Sequence, residues 1–167
     1  AIAERFLEGT GRAILSRVSP SLEARLRERY TDRELEWYHS SRTAIIRRAP
    51  LPGRTGGRVG ILTAGTSDRP AAEEAAIICQ EMGCSVHAQY DVGVAGLHRL
   101  FEPLRQLLDG DDVDVIIVAA GMDGALPSVV SGLVDRPVIG LPTAVGYGMG
   151  GKGRAALAAM LQTCSPG

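Results

Sequence analysis

Aromatic residues are scarce in this chain: one Trp, four Tyr and two Phe, 4% of 167 residues. A core without aromatic bulk has to be built from Val, Ile, Leu and Ala, and 21 glycines favour tight helix-on-sheet packing. Neither sign of charge is in excess, with 18 Lys and Arg against 19 Asp and Glu and a net charge of −1. Nucleic-acid binders carry a clustered basic surplus, so nucleic acid is excluded as a main partner. No apolar run approaches the ~20 residues of a bilayer-spanning helix, so no membrane association is expected. Cysteine is limited to Cys79, Cys84 and Cys164. The count is odd, and the C-x4-C spacing has no second pair, so no zinc site is read from it. Free thiols fit a reducing compartment, and a cytoplasmic protein is expected. The start as given carries no signal peptide, and it opens without Met, which leaves a start further upstream open.

What is present is organised in two parts. Residues 49–57 (APLPGRTGG) hold two Pro and three Gly and read as a linker. Residues 1–57 therefore form a small Arg-rich N-terminal segment with its linker, and residues 58–167 a larger domain. The arginines crowd early (Arg25, Arg27, Arg29, Arg33, Arg42, Arg47, Arg48, Arg54) but alternate with Glu, which reads as a solvated helical face. Within the segment, 13–18 is a short apolar stretch and 43–47 a β-like run. Residues 20–30 read as a helix opened by Ser19-Pro20, and Thr31-Asp32 starts a turn or short helix.

Beyond the linker, strands at 58–63, 85–90, 113–119 and 137–141 alternate with helices at 70–82, 97–108, 124–134 and 152–162. The run VDVIIVA is continuous and β-branched, as in a parallel strand covered on both faces. Alternation of this kind predicts βαβ units and an open α/β fold with a central parallel sheet. Ligands of such sheets bind beyond the carboxyl ends of the strands, so the strand-to-helix turns are where chemistry is expected.

Four turns qualify. In the first (63–68, TAGTSD), Thr63, Gly65, Thr66, Ser67 and Asp68 offer small residues and helix-start N–H groups for an anion, with Ser67 or Asp68 also able to cap the helix. The second (91–100, DVGVAGLHRL) brings Asp91, Gly93, Gly96, His98 and Arg99 to the same rim. His98 is the side chain type that titrates near neutrality. His39 and His87 have no such setting and are read as structural. In the third (AAGMDGALPS), Gly121, Asp123 and Ser128 follow the central strand. Asp123 serves either as a helix cap or as a base. The fourth (142–153, PTAVGYGMGGKG) contains Thr143, Gly146, Tyr147 and Gly148 and reads as a flexible loop or a lid. It is not a phosphate-binding P-loop, because Gly153 stands where Ser or Thr is required after Lys152.

The motifs TAGTSD, DVGVAGLHRL, AGMDGALPSVV and PTAVGYG, followed by MLQTC, occur in order over the last two thirds of the chain. In this they resemble the aminoimidazole ribonucleotide carboxylase (PurE-like) family. The nearest likeness is to the LarB-type branch, the pyridinium-3,5-biscarboxylic acid mononucleotide synthases of nickel-pincer nucleotide biosynthesis. The resemblance implies a flavodoxin-like three-layer sandwich assembled as a homo-octamer. It implies carboxylation of the pyridinium ring of nicotinic acid adenine dinucleotide by CO2 or bicarbonate, with hydrolysis of the phosphoanhydride to release AMP. No tightly bound cofactor is implied, and Mg2+ on the pyrophosphate is the metal such a hydrolysis would use.

The resemblance also assigns roles. Cys164 corresponds to a nucleophilic thiol. Asp123 stands where the family has a Glu base, one methylene shorter. Ser67 and Asp68 would hold ribose and phosphate, and His98 matches a His near the site of the purine enzymes. A pyridinium is electron-poor and cannot attack CO2. Thiolate addition at C4 makes C5 an enamine carbon that can. Cys79, in a helix, and Cys84, at a strand start, read as buried filler. Two other readings stay open: a carboxylase or mutase acting on aminoimidazole ribonucleotides, which needs no thiol, and a non-catalytic nucleotide-binding regulator.

Overall fold

The computed structural model describes residues 2–31 and 34–165. Asp32, which begins the expected turn after the second helix, and Arg33 of the arginine cluster lie outside them. The chain divides into two compact units, Ala1–Pro52 and Gly53–Gly167.

The N-terminal unit has its own secondary structure and core, more than a charged appendage. In order it holds α1 (Ile2–Thr10), β1 (Arg12–Leu15), α2 (Pro20–Arg29), β2 (Leu35–Tyr38) and β3 (Thr43–Arg47). The strands form an antiparallel sheet in the order β1-β3-β2. The pairs Ala13↔Ile46, Leu15↔Ala44 and Trp37↔Ala44 put these residues on one face. That face packs against Leu7, Leu26 and Tyr30 from the helices. Helix α2 starts where its sequence says: Ser19 accepts from the Leu22 N–H at 3.3 Å, and Pro20 sits in the first turn. Arg27, Arg29, Arg47 and Arg48 pair with glutamates. Glu4 accepts from Tyr30 Oη at 2.9 Å, Arg29 at 3.0 Å and Arg48 at 3.0 Å, and Arg48 also reaches Glu34 at 3.0 Å. Helix α1 and strand β2 are not legible in the sequence pattern, which is too short in both places to show a period.

The second unit carries a four-stranded parallel sheet in the order β5-β4-β6-β7, with β4 at Arg58–Thr63, β5 at Ser85–Gln89, β6 at Val115–Ala120 and β7 at Val138–Pro142. The helices are α3 (Arg69–Glu81), α4 (Phe101–Arg105), α5 (Ala125–Ser131) and α6 (Arg154–Leu161). One sheet face (Leu62, Ile116, Val118, Ala120) is covered by Leu104 of α4, Leu126 and Val130 of α5 and Met160 of α6. The other (Val59, Ile61, Ile117, Ala119) is covered by the Ala-rich face of α3. This is the flavodoxin-like three-layer arrangement, with helices on both faces of a parallel sheet.

The expected helix over 97–108 is broken into three pieces. A 3₁₀ segment (Val94–Arg99) precedes α4, and a π-type turn (Gln106–Gly110) follows it. Gly96, at φ −140° and ψ 59°, leaves the helical region. Pro103, which has no N–H to give, is tolerated because it falls in the first turn of α4. The central strand starts two residues later than expected because the Val113 N–H is used by Leu107 O. Among the described residues no helix is long and apolar enough to cross a membrane.

Three donors, led by the Tyr30 hydroxyl and then the Arg29 guanidinium, hold the Glu4 carboxyl at about 2, well below its ordinary 4.5. A group depressed in the folded state stabilises it fully above the unfolded value and loses that contribution as pH falls. Acid unfolding of the N-terminal unit is therefore expected to steepen between pH 4.5 and about 2, and Glu4→Gln to flatten that interval. Urea melts at a series of pH values measure this, and an unchanged profile in the variant refutes the assignment.

Candidate active site at the carboxyl ends of the strands

The strand order reverses between β4 and β6, since the chain goes from β4 outward to β5 and returns past β4 to β6. The turns leaving β4 and β6 therefore diverge and open a crevice. A cleft of about 250 Å³ lies at that point. Its walls are the turn after β4 (Ala64, Gly65, Ser67, Asp68), the turn after β5 (Gly93, Val94, Ala95) and the turn after β6 (Ala120 to Asp123). Ala125 and Leu126 of α5 and Val145 complete it.

The turns are held together by polar groups beneath the cleft. Asp68 is 3% exposed. Its Oδ2 accepts from the Gly65 N–H at 2.9 Å, and its Oδ1 from the Thr143 hydroxyl at 2.5 Å. Thr143 follows β7, so this bond crosses the end of β6. Thr63, fully buried, accepts from the Asp91 N–H at 3.0 Å and ties the β5 turn to β4. The expectation that Asp68 or Ser67 caps α3 is corrected here. Asp68 occupies the cap position but makes no cap bond to α3, because its carboxylate turns back to Gly65 and across to Thr143.

Two glycines are required by close approach. A Cβ on Gly93 would lie 2.4 Å from Ala64 O. One on Gly121 would lie 2.3 Å from Val145 O and 2.8 Å from Thr143 Oγ1. Two residues of these turns, Asp91 (φ 62°) and Met122 (φ 52°), hold a left-handed backbone without being glycine. Bulky residues adopt this conformation only where surroundings impose it, and such residues gather at functional sites.

Of the residues named from sequence, Gly65, Ser67, Asp68, Gly93, Gly121 and Asp123 line the cleft together. Thr63 and Thr143 lie beneath as supports. Thr66 is exposed in the short 3₁₀ turn, Thr66–Asp68, that leads into α3. Asp123 is exposed, and its Oδ1 accepts from the Ala125 N–H at 3.4 Å. Gly124, in a left-handed conformation, stands at the cap position of α5. Arg99 pairs with Asp91 at 2.5 Å, folded back along its own turn, while His98 is exposed. Gly96, Gly146, Tyr147 and Gly148 do not line the cleft, and Tyr147 is 82% exposed.

Cys164 and Ser128 are outside this cleft. Ser128 lies on the far side of α5, on a second cavity of about 210 Å³ shared with Thr163 and Ser165. The Ser128 and Thr163 hydroxyls are 2.8 Å apart, and Ser165 Oγ donates to Ser128 O at 3.2 Å. Cys164 is thus exposed on a segment pinned to α5 from both sides. Cys79 and Cys84 are half-buried, not fully buried as expected, and both pack beside α3's core. Burial pushes the Cys79 thiol up, which leaves it a poor nucleophile. His87 pairs with Asp111 at 3.0 Å and His39 accepts from the Trp37 indole at 2.8 Å. The apolar walls (Val94, Ala95, Met122, Leu126, Val145) are not marked in the sequence. A search for polar residues passes over them, and only Met122's place between two glycine-bearing turns hints at them.

Fold and cleft together define a small site at the switch point of a flavodoxin-like sheet, walled by glycine-bearing turns and supplied with one exposed carboxylate. The sequence model of the AIR carboxylase family matches residues 58–166, and the chain belongs to that family. It is 50% identical over 127 residues to an uncharacterised protein of Methanocaldococcus jannaschii, covering 76% of this chain and 48% of that protein. It is 35% identical over 82 residues to the N5-carboxyaminoimidazole ribonucleotide mutase of the same organism, covering 49% of this chain and 50% of that enzyme. The chain thus spans about half the length of these relatives. The first alignment is longer than the family domain, so it runs into the residues before Arg58.

A hydrogen bond to a buried carboxylate contributes about 1.5–3 kcal/mol. Thr143→Val is expected to cost about 2 kcal/mol in urea unfolding, and Thr143→Ser to retain most of it. Equal stabilities for Val and Ser at 143 would remove the Asp68 bond from its supporting role.

Proposed function

We propose that the chain carboxylates the pyridinium ring of nicotinic acid adenine dinucleotide with CO2 or bicarbonate and hydrolyses the phosphoanhydride to release AMP. The observation that carries carboxyl chemistry on a nucleotide is the cleft. Main-chain N–H groups at the start of α3 suit a phosphate, small residues suit the close approach of a flat ring, and the Asp123 carboxylate stands at the same opening. Two features favour the pyridinium branch. Cys164 offers an exposed thiol on a segment tethered to α5, the helix that begins beside Asp123. The greater identity is to a relative whose match includes N-terminal residues, not to the mutase.

In this reaction the Cys164 thiolate adds to ring C4 and neutralises the pyridinium. The C5 carbon of the resulting enamine attacks CO2 and forms the new C–C bond. Asp123 takes the C5 proton, and the C4–S bond breaks to restore the aromatic ring and the thiolate. Each member of this pair acts once, so neither replaces the other. Among the described residues no cluster of His, Cys, Asp or Glu suits a metal ion. Any Mg2+ is therefore assigned to the substrate's own pyrophosphate, and no step is routed through it. The assembly we infer from the family resemblance is a homo-octamer. It is supported by the apolar surface left on edge strand β7 and on α6, where Ile139 is 53% and Leu161 77% exposed. Light scattering is expected to give an octamer mass, and a monomer would refute it.

Mass spectrometry of the protein with the dinucleotide and bicarbonate tests the reaction, with a dicarboxylated mononucleotide and AMP as expected products. Cys164→Ala is expected to abolish ring carboxylation while dinucleotide affinity changes less than about threefold, and turnover in that variant would sink the covalent route. Asp123→Asn is expected to slow the reaction by about 10²–10⁴, the usual worth of a general base. The 35% identity to the mutase favours a second reading, carboxyl migration on an aminoimidazole ribonucleotide. Conversion of that nucleotide, with no product from the dinucleotide, would establish it instead.

A further inference from the structure

Two large side chains stand just outside the cleft on the turns that form it, and the carboxylation chemistry leaves both unused. Arg69 follows Asp68 as the first residue of α3. Tyr90 follows β5, beside Asp91, whose N–H is held by Thr63 at the end of β4. The Arg69 guanidinium carbon lies 4.9 Å from the Tyr90 ring centroid, well inside cation–π range. Arg69 is exposed, and Tyr90 is 36% exposed. The neighbouring Arg99 is neutralised by Asp91, whereas among the described residues Arg69 has no carboxylate partner. An exposed guanidinium over a part-exposed aromatic ring offers a planar cation beside a π-face. Purine and pyrimidine bases stack on guanidinium planes and on aromatic rings.

The cleft is about 250 Å³. That is below the roughly 300–1,000 Å³ of pockets that enclose a drug-sized ligand, so a dinucleotide must extend beyond it. Each turn places its cleft residue within three positions of the platform: Asp68 beside Arg69, and Gly93 three after Tyr90. A pyrophosphate passing over the start of α3 leads from one to the other.

We propose that Arg69 and Tyr90 form the stacking platform for the adenine base of the dinucleotide, with the pyridinium half in the cleft. This rests on the carboxylase reading above. It assigns Arg69 to recognition of the second nucleotide half and gives the protein its preference for a dinucleotide over a mononucleotide.

The test is calorimetric titration without bicarbonate, using nicotinic acid adenine dinucleotide and nicotinic acid mononucleotide. The wild-type protein is expected to bind the dinucleotide more tightly. Arg69→Ala is expected to weaken the dinucleotide about tenfold, which is about 1.4 kcal/mol, and to leave the mononucleotide unchanged. Arg69→Lys keeps the charge but not the plane and is expected to lose most of the same affinity, while Tyr90→Phe keeps it. Equal losses for both ligands would mean that Arg69 serves the shared phosphate, and would overturn the platform alone, as would no loss for the dinucleotide. If the wild-type protein binds neither ligand, the carboxylase reading fails and the platform with it. Thermal melts followed by circular dichroism confirm that each variant is folded.

Discussion

A carboxylate is stable inside a protein only where donors replace the water it has lost. Asp68 has two, from Gly65 on its own turn and from Thr143 seventy-five residues later. Because β6 lies between β4 and β7 in the sheet, the Thr143 bond has to pass over the end of β6. That is possible only because Gly121 has no side chain there. The Thr143 bond thus fixes the turns after β4 and β7 relative to one another, the Met122 N–H adds the turn after β6 by donating to Val145 O at 2.8 Å, and the cleft is the space they leave. The Thr63 bond to Asp91 joins the fourth turn to the same frame. The floor is therefore polar underneath and lined by small residues above.

Much of this architecture is legible in the sequence because it follows from local pattern. The run RVGILT gives strand β4 with both ends correct, since it is bounded by a Gly-rich linker and a Gly-rich turn. TAIIR does the same for β3. The alternation of such runs with helical stretches leads to a parallel sheet, and the sheet leads to its carboxyl edge as the place for ligands. Six residues named on that argument alone line one cleft. What is not legible depends on distance along the chain or on backbone detail. The partner of Asp68 cannot be read from TAGTSD, because Thr143 is unrelated to it in sequence, and so a carboxylate at a helix start looks like a cap. The spacing of Leu97, Leu100, Phe101, Leu104 and Leu107 is helical, yet Gly96 and a π-type turn divide the segment. Helix α1 and strand β2 are each too short to show a period, and they take their form from the sheet and core they complete.

The N-terminal unit illustrates a different physical solution from the parallel-sheet unit. Its polar surface is a lattice in which Glu4, Glu34 and Glu36 absorb the arginines and the Tyr30 and Tyr38 hydroxyls. Burial, with Glu36 adding to it, pushes the Tyr38 hydroxyl up to about 12. Charges consumed in this way are unavailable to a nucleic acid. Around the cleft the pattern differs: Asp123 is exposed, and Arg69 is set against the Tyr90 ring with no ion pair to a carboxylate among the described residues.

Helix α5 is the element that connects the two halves of the proposed chemistry. Its first turn borders the cleft with Asp123, and its later residues Pro127, Ser128 and Ser131 border the second cavity, over which residues 163–165 are fastened. Nucleophile and base must act on adjacent carbons of one ring, so their separation has to be set by something stiff. The stiff element between them is a seven-residue helix packed by Leu126 and Val130 into the sheet's core. The tethers to Ser128 are hydroxyl bonds at the surface, each modest in strength. Together they hold the residues on either side of Cys164 to α5.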